Sequence, residues 1–134
     1  MIAHASHPID LITVSALHLF TTRAARRYDV LGAVLFGSRA RADHRADSDA
    51  DLALLLRGGH GSRIDVALDL ADLAFDVMLE TGVLIEAIPF GEDEWAHPER
   101  FANPALIENI RREGVPLWSR GQRACKRHAT GAAR

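Results

Sequence analysis

Phe36-Gly37-Ser38-Arg39-Ala40-Arg41-Ala42-Asp43-His44-Arg45-Ala46-Asp47-Ser48-Asp49-Ala50-Asp51-Leu52 is the most informative stretch of this chain. It begins where a short apolar run, Val30 to Phe36, ends at Gly37; the length and the β-branched and aromatic content of that run suit a buried strand. Ser38 to Ser48 is a polar connection, and Asp49 to Leu56 reads as a second strand. Side chains alternate along a strand, so Asp49 and Asp51 project from one face while Ala50 and Leu52 point the opposite way.

Two carboxylates set side by side repel one another, and a hard divalent cation resolves the conflict. Mg²⁺ prefers oxygen ligands, takes one or two carboxylates, and completes its shell with water and substrate phosphate. The Asp49-x-Asp51 pair suits that demand. Gly37 permits close backbone approach, and Ser38 offers a hydroxyl and an N–H at the start of a turn, a combination suited to cradling phosphate. Arg39 and Arg41 stand beside this turn, to neutralise a triphosphate or to pair with Asp43 or Asp47. Ser48, at the end of the connection, joins Gly37, Ser38, Arg39 and Arg41 in the expected nucleotide-binding set. A third acid, Glu86, interrupts the apolar run Val83 to Phe90, read as a third strand; a carboxylate buried there would need a cation or a partner, and the alternative is that it emerges at a strand edge into solvent.

Working outward, Val14, Leu17, Phe20, Ala24 and Tyr28 recur at helical steps between Ile12 and Tyr28, with Arg23, Arg26 and Arg27 on the other face near the C-terminal end. Arg57-Gly58-Gly59-His60-Gly61 breaks the second strand and forms a mobile loop. Ser62 is a candidate N-cap for a helix that ends at Gly82 and buries Ile64, Ala67, Ala71, Phe75 and Met78. A last helix opens at Asn103-Pro104, turns Leu106, Ile107 and Ile110 inward and stops at Gly114. Trp95 and Trp118 are read as packing anchors. These elements predict an α/β (α+β) fold: a small mixed sheet with helices packed on one face.

The 134 residues suit one domain, residues 1–118, followed by a basic tail, 119–134, expected to be disordered. A formal net charge of −2 supplies no basic field, so direct nucleic-acid binding is not expected. One cysteine, Cys125, excludes an internal disulfide and points to a reducing, cytoplasmic setting. No export signal or membrane span is expected. The seven histidines are scattered without metal-ligand spacing, which favours surface or capping roles.

Gly37-Ser38, ten intervening residues and Asp49-x-Asp51 together resemble the signature of the DNA-polymerase-β nucleotidyltransferase superfamily, and the chain is similar to its minimal nucleotidyltransferases. The resemblance implies a polymerase-β-like fold, two Mg²⁺ ions on Asp49, Asp51 and Glu86, and ATP as nucleotide donor. It implies that Gly37 and Ser38 hold the triphosphate and that Glu86 takes the third acidic place, where the family more often carries Asp. It further implies kinship with antitoxins that pair with HEPN-domain ribonuclease toxins and transfer AMP to a toxin tyrosine. A chain of this length leaves little room for the extra domains of a polymerase, which favours a protein or small-molecule acceptor. Two rival readings are an antibiotic-type small-molecule nucleotidyltransferase and a binding module that neutralises its partner by contact.

Overall fold

Strand β1 (Val30–Phe36) forms over the apolar run expected of it, and β2 (Ala50–Leu56) begins one residue after Asp49. Both belong to a computed structural model that describes residues 9–58 and 62–119. Ahead of β1 lies helix α1 (Leu11–Ala24), and the one-turn helix α2 (Ser38–Arg41) separates the two strands. Helix α3 (Arg63–Thr81) leads to β3 (Ile85–Gly91), followed by α4 (Glu92–Ala96), a 3-10 turn at Pro98–Arg100, α5 (Pro104–Glu113) and β4 (Val115–Ser119).

The strands form one mixed sheet in the order β3-β2-β1-β4. β1 pairs antiparallel with β2 and with β4, whereas β2 and β3 run parallel. A parallel pair needs a crossover, and α3 supplies it. In the resulting register Asp51 lies opposite Phe36 on one side and Glu86 on the other.

Alternation along β2 separates two cores. Leu52, Leu54 and Leu56 pack with Leu17 and Phe20 of α1 and with Leu70, Leu73 and Val77 of α3. On the opposite face Ala53 packs with Phe90, Ile107 and Ile110, joined by Leu55, Trp95 and Phe101. The mixed sheet with helices is therefore present, and α5 adds cover beyond the one face expected. Each fully buried Leu or Phe in these clusters contributes about 1.5–3 kcal/mol. Trp95 is an anchor: its ring lies 5.5 Å from Phe90, and the Arg111 guanidinium sits 5.2 Å from its centroid.

Several expectations are corrected. α3 buries Val66, Leu70, Leu73, Ala74 and Val77, not the stripe of Ile64, Ala67, Ala71, Phe75 and Met78; Ile64 and Phe75 are 71% and 53% exposed. The helix carries apolar stripes on two sides, and tertiary contacts choose between them: Asp69 bonds Arg27 and Tyr28, and Glu80 pairs with Arg23 of α1. α1 ends at Ala24, so Tyr28 stands outside it, and Val14 faces solvent while Thr13 and Ala16 are buried. Val115–Ser119 adds a strand beyond those expected, β4, which pairs with β1 despite Pro116 because it occupies a sheet edge. Asn103 stands at the N-cap of α5 without a side-chain cap bond, whereas Ser62 caps α3 by accepting from the Asp65 N–H at 3.0 Å. Gly114 ends α5 in an extended conformation, and a Cβ there would come within 2.5 Å of the Ile110 carbonyl and of Val34. Gly59, His60 and Gly61, and the expected basic tail from 120 onward, lie outside the described residues.

Leu70→Ala is expected to lower stability by about 2–5 kcal/mol in urea denaturation, and Leu68→Ala, at an exposed position on the same helix, by less than about 0.5 kcal/mol. Equal losses at the two positions would mean that the helix presents a different face to the sheet.

Candidate active site

The C-terminal end of β1, the Gly37 turn and the N-terminal end of β2 meet at one end of the two central strands. Gly37 has φ +78°, and a Cβ on it would stand 2.3 Å from Oδ2 of Asp51. Only glycine lets the Asp51 carboxylate lie against the backbone there, and no L side chain adopts that φ without strain. Directly after it, the Gly37 carbonyl accepts from the Ala40 and Arg41 N–H groups at 3.1 Å, closing the turn of α2. The leading N–H groups of such a turn, at Ser38 and Arg39, have no acceptor within the helix itself.

Two acids, Asp51 and Glu86, face each other beside this turn, and Asp49 precedes the strand that carries the first of them. Residues facing each other across a parallel pair point to the same side of a sheet, so Asp51 and Glu86 share a face. Burial pushes the Asp51 carboxyl above its ordinary range; the charge of Glu86, a hydrogen bond between the two and the charge of Asp49 push it further, against a weaker opposite pull from Arg41. Glu86 itself is exposed, because β3 is the edge strand; of the two placements expected for it, the structure shows the solvent-facing edge, opposite Asp51. Asp49 is half-buried and lies just before the ladder of β2.

Hard oxygen donors crowded around one half-buried carboxylate are a donor set that a divalent cation would stabilise. Among the described residues no three such side chains already stand in closed ligand geometry. Asp51 and Glu86 suit a hard cation by chemistry and by common face, Asp49 offers a further carboxylate just before the strand, and Asp51 is the member whose position the backbone fixes most tightly.

The arginines divide. Arg41 is exposed, bonds Asp43 at 3.1 Å and acts electrostatically on Asp51, so it stays beside the site. Arg39 is 3% exposed and turned inward, its guanidinium donating to Thr13 Oγ1 at 2.8 Å and to the Ala46 and Ser48 carbonyls at 3.1 and 3.0 Å. This places Arg39 away from a triphosphate at the Gly37 turn. Ser48 shapes the loop, its Oγ accepting from the Arg45 N–H at 2.9 Å. The sequence reading missed Asp10 and Thr13, which stand beside Arg39; Asp10 caps α1 by accepting from the Thr13 N–H at 3.2 Å. An Asp three residues before a Thr at a helix start was the available signal.

Two outcomes are expected in cation-free protein. Because the folded state raises the Asp51 pKa, it holds a proton there that the unfolded chain has already released, so stability falls as pH rises from the ordinary Asp range through the folded value. Asp51→Asn should therefore raise the melting temperature at pH 7 by a few degrees, with the gain disappearing near pH 3; a gain that persists there would contradict the coupling. Gly37→Ala should cost more than about 1 kcal/mol in denaturant titrations, and less in an Asp51→Ala background, where only the φ strain remains.

Residues 21–123 match the family described as Polymerase beta, Nucleotidyltransferase. Comparison with curated proteins yields no match. Among solved structures, the chain is similar to a candidate nucleotidyltransferase from Sulfolobus solfataricus, at 19% identity over 82% of this chain and 88% of that one, with a TM-score of 0.44. It is also similar to a chain from a toxin–antitoxin structure with AMP-PNP, at 19% identity over 83% of this chain and 73% of that one, with a TM-score of 0.49. With the family match spanning the sheet, the glycine turn and all three acids, the chain belongs to the polymerase-β nucleotidyltransferase family.

Proposed function

We propose that this domain transfers the AMP moiety of ATP to a hydroxyl of a partner protein, in the cytoplasm, and that the partner is a HEPN-domain ribonuclease toxin for which it serves as antitoxin. The observation that carries the catalytic part is the Asp51 carboxylate, packed against Gly37 and facing Glu86 across the β2–β3 ladder. Family membership supports nucleotidyl transfer. A net charge of −2 supports a protein acceptor over a nucleic-acid one, because phosphate backbones are held chiefly by clustered cations.

Asp49, Asp51 and Glu86 would hold two Mg²⁺ ions, which when bound stabilise negative charge on the reacting phosphate oxygens. The turn at Gly37 and Ser38 receives the triphosphate through backbone N–H groups, and Arg41 offsets its charge from the rim. Glu86, exposed on the edge strand, is the acid an incoming hydroxyl reaches from solvent. In the transfer the hydroxyl oxygen bonds to the α-phosphorus, the bond from that phosphorus to the bridging oxygen of the β-phosphate breaks, and pyrophosphate departs. The hydroxyl proton passes to the Glu86 carboxylate.

The test is incubation of the purified domain with its genetically adjacent HEPN protein, ATP and Mg²⁺, read by intact mass. A single AMP addition on the partner is expected, with Asp49→Ala plus Asp51→Ala lowering the rate at least a hundredfold. An unmodified partner beside a folded, metal-loaded domain would refute the transfer. Neutralisation that survives the double substitution would identify inhibition by contact instead.

A further inference from the structure

We propose that Arg39 is a positioning residue: it clamps the loop between α2 and β2 so that Asp49 is held beside Asp51. This inference rests on the reading of Asp49, Asp51 and Glu86 as a cation site. Arg39 belongs to a helix of four residues, yet its guanidinium is 3% exposed. Burying a cation costs several kcal/mol unless its N–H groups are satisfied. Here they are spread over separate segments: Nη1 donates to Thr13 Oγ1 in α1, Nη2 to the Ala46 carbonyl and Nε to the Ser48 carbonyl. The Asp10 carboxylate lies 4.0 Å from Nη1 and also meets His44 Nε2 at 3.3 Å, so the start of α1 and the loop are tied at a second point.

The clamped loop leads directly into the acids. Ser48, whose carbonyl Arg39 holds, is the residue before Asp49. Asp51 is fixed independently, by ladder pairing with Phe36 and Glu86 and by its contact with Gly37. Asp49 lies outside the strand, so its position follows from the loop. Removing the Arg39 clamp therefore frees Asp49 while leaving Asp51 in place. A lysine cannot replace it, because one ammonium cannot span acceptors on α1 and at two points of the loop.

The test is Mn²⁺ binding to the full chain, followed by electron paramagnetic resonance of the free ion, together with hydrogen exchange of residues 43–49. Arg39→Met is expected to weaken binding about ten- to a hundredfold, in the range found when groups orienting a metal ligand are removed. It should speed exchange of those amides while leaving exchange in α3 unchanged. Arg39→Lys should not restore the affinity, and Thr13→Val, which removes one acceptor and keeps the arginine, should weaken binding by a smaller factor. Combining Arg39→Met with Asp49→Asn should add little to either change alone, since both remove the same ligand. Arg26→Met, at an exposed position, should have no effect. Should Arg39→Met fail to fold, unaltered Mn²⁺ affinity in Thr13→Val overturns the proposal. Mn²⁺ affinity unchanged in a folded Arg39→Met also overturns it and leaves the cation site standing; a wild-type chain that binds no Mn²⁺ overturns both.

Discussion

The contact between the Asp51 carboxylate and the backbone of Gly37 is the constraint on which the site depends. It needs a residue without Cβ, a backbone at positive φ and a strand register that sets Asp51 opposite Phe36. The same contact brings an acid to the turn whose first N–H groups lie open. Under the proposed function, a cation would mediate between this negative charge and a phosphate, and the charges of nearby Glu86 and Asp49 add to the crowding on Asp51.

The rest of the fold keeps this contact in register. α3 carries the chain across the sheet so that β3 can run parallel to β2, which puts Glu86 level with Asp51. Leucines at 52, 54 and 56 lock β2 onto α1 and α3, and a one-residue slip would turn them away from that core and Asp51 into it. On the other face α5 and Trp95 close over Ala53 and Phe90. The core thus enforces the side to which Asp51 points, and the Arg39 clamp extends that order into the loop before the strand.

Much of this was legible in the residues. A five-to-seven-residue apolar run ended by glycine leaves few alternatives to a strand, and alternation puts Asp51 on the face opposite Leu52, Leu54 and Leu56; Asp49 lies before the strand, where that rule does not reach. Ser62 announced its helix because a hydroxyl three residues before an N–H is a local arrangement. What stayed illegible depends on distant contacts. α3 has two apolar stripes of similar strength, and its buried one is chosen by α1. Arg39 looked like a phosphate ligand by proximity to Gly37; its burial depends on Thr13, distant in sequence. Whether Glu86 is buried in its apolar run or open to solvent depends on the place of β3 in the strand order, and at the sheet edge it is exposed. β4 was hidden by Pro116, a residue that only an edge strand tolerates.

Anomalous diffraction from a crystal grown with Mn²⁺ and a non-hydrolysable ATP analogue examines the central claim most directly. The account predicts Mn²⁺ peaks among the carboxylates of Asp49, Asp51 and Glu86, with the triphosphate lying over the Gly37-Ser38 turn. Mn²⁺ found elsewhere, or Glu86 directed to solvent while nucleotide is bound, would contradict it.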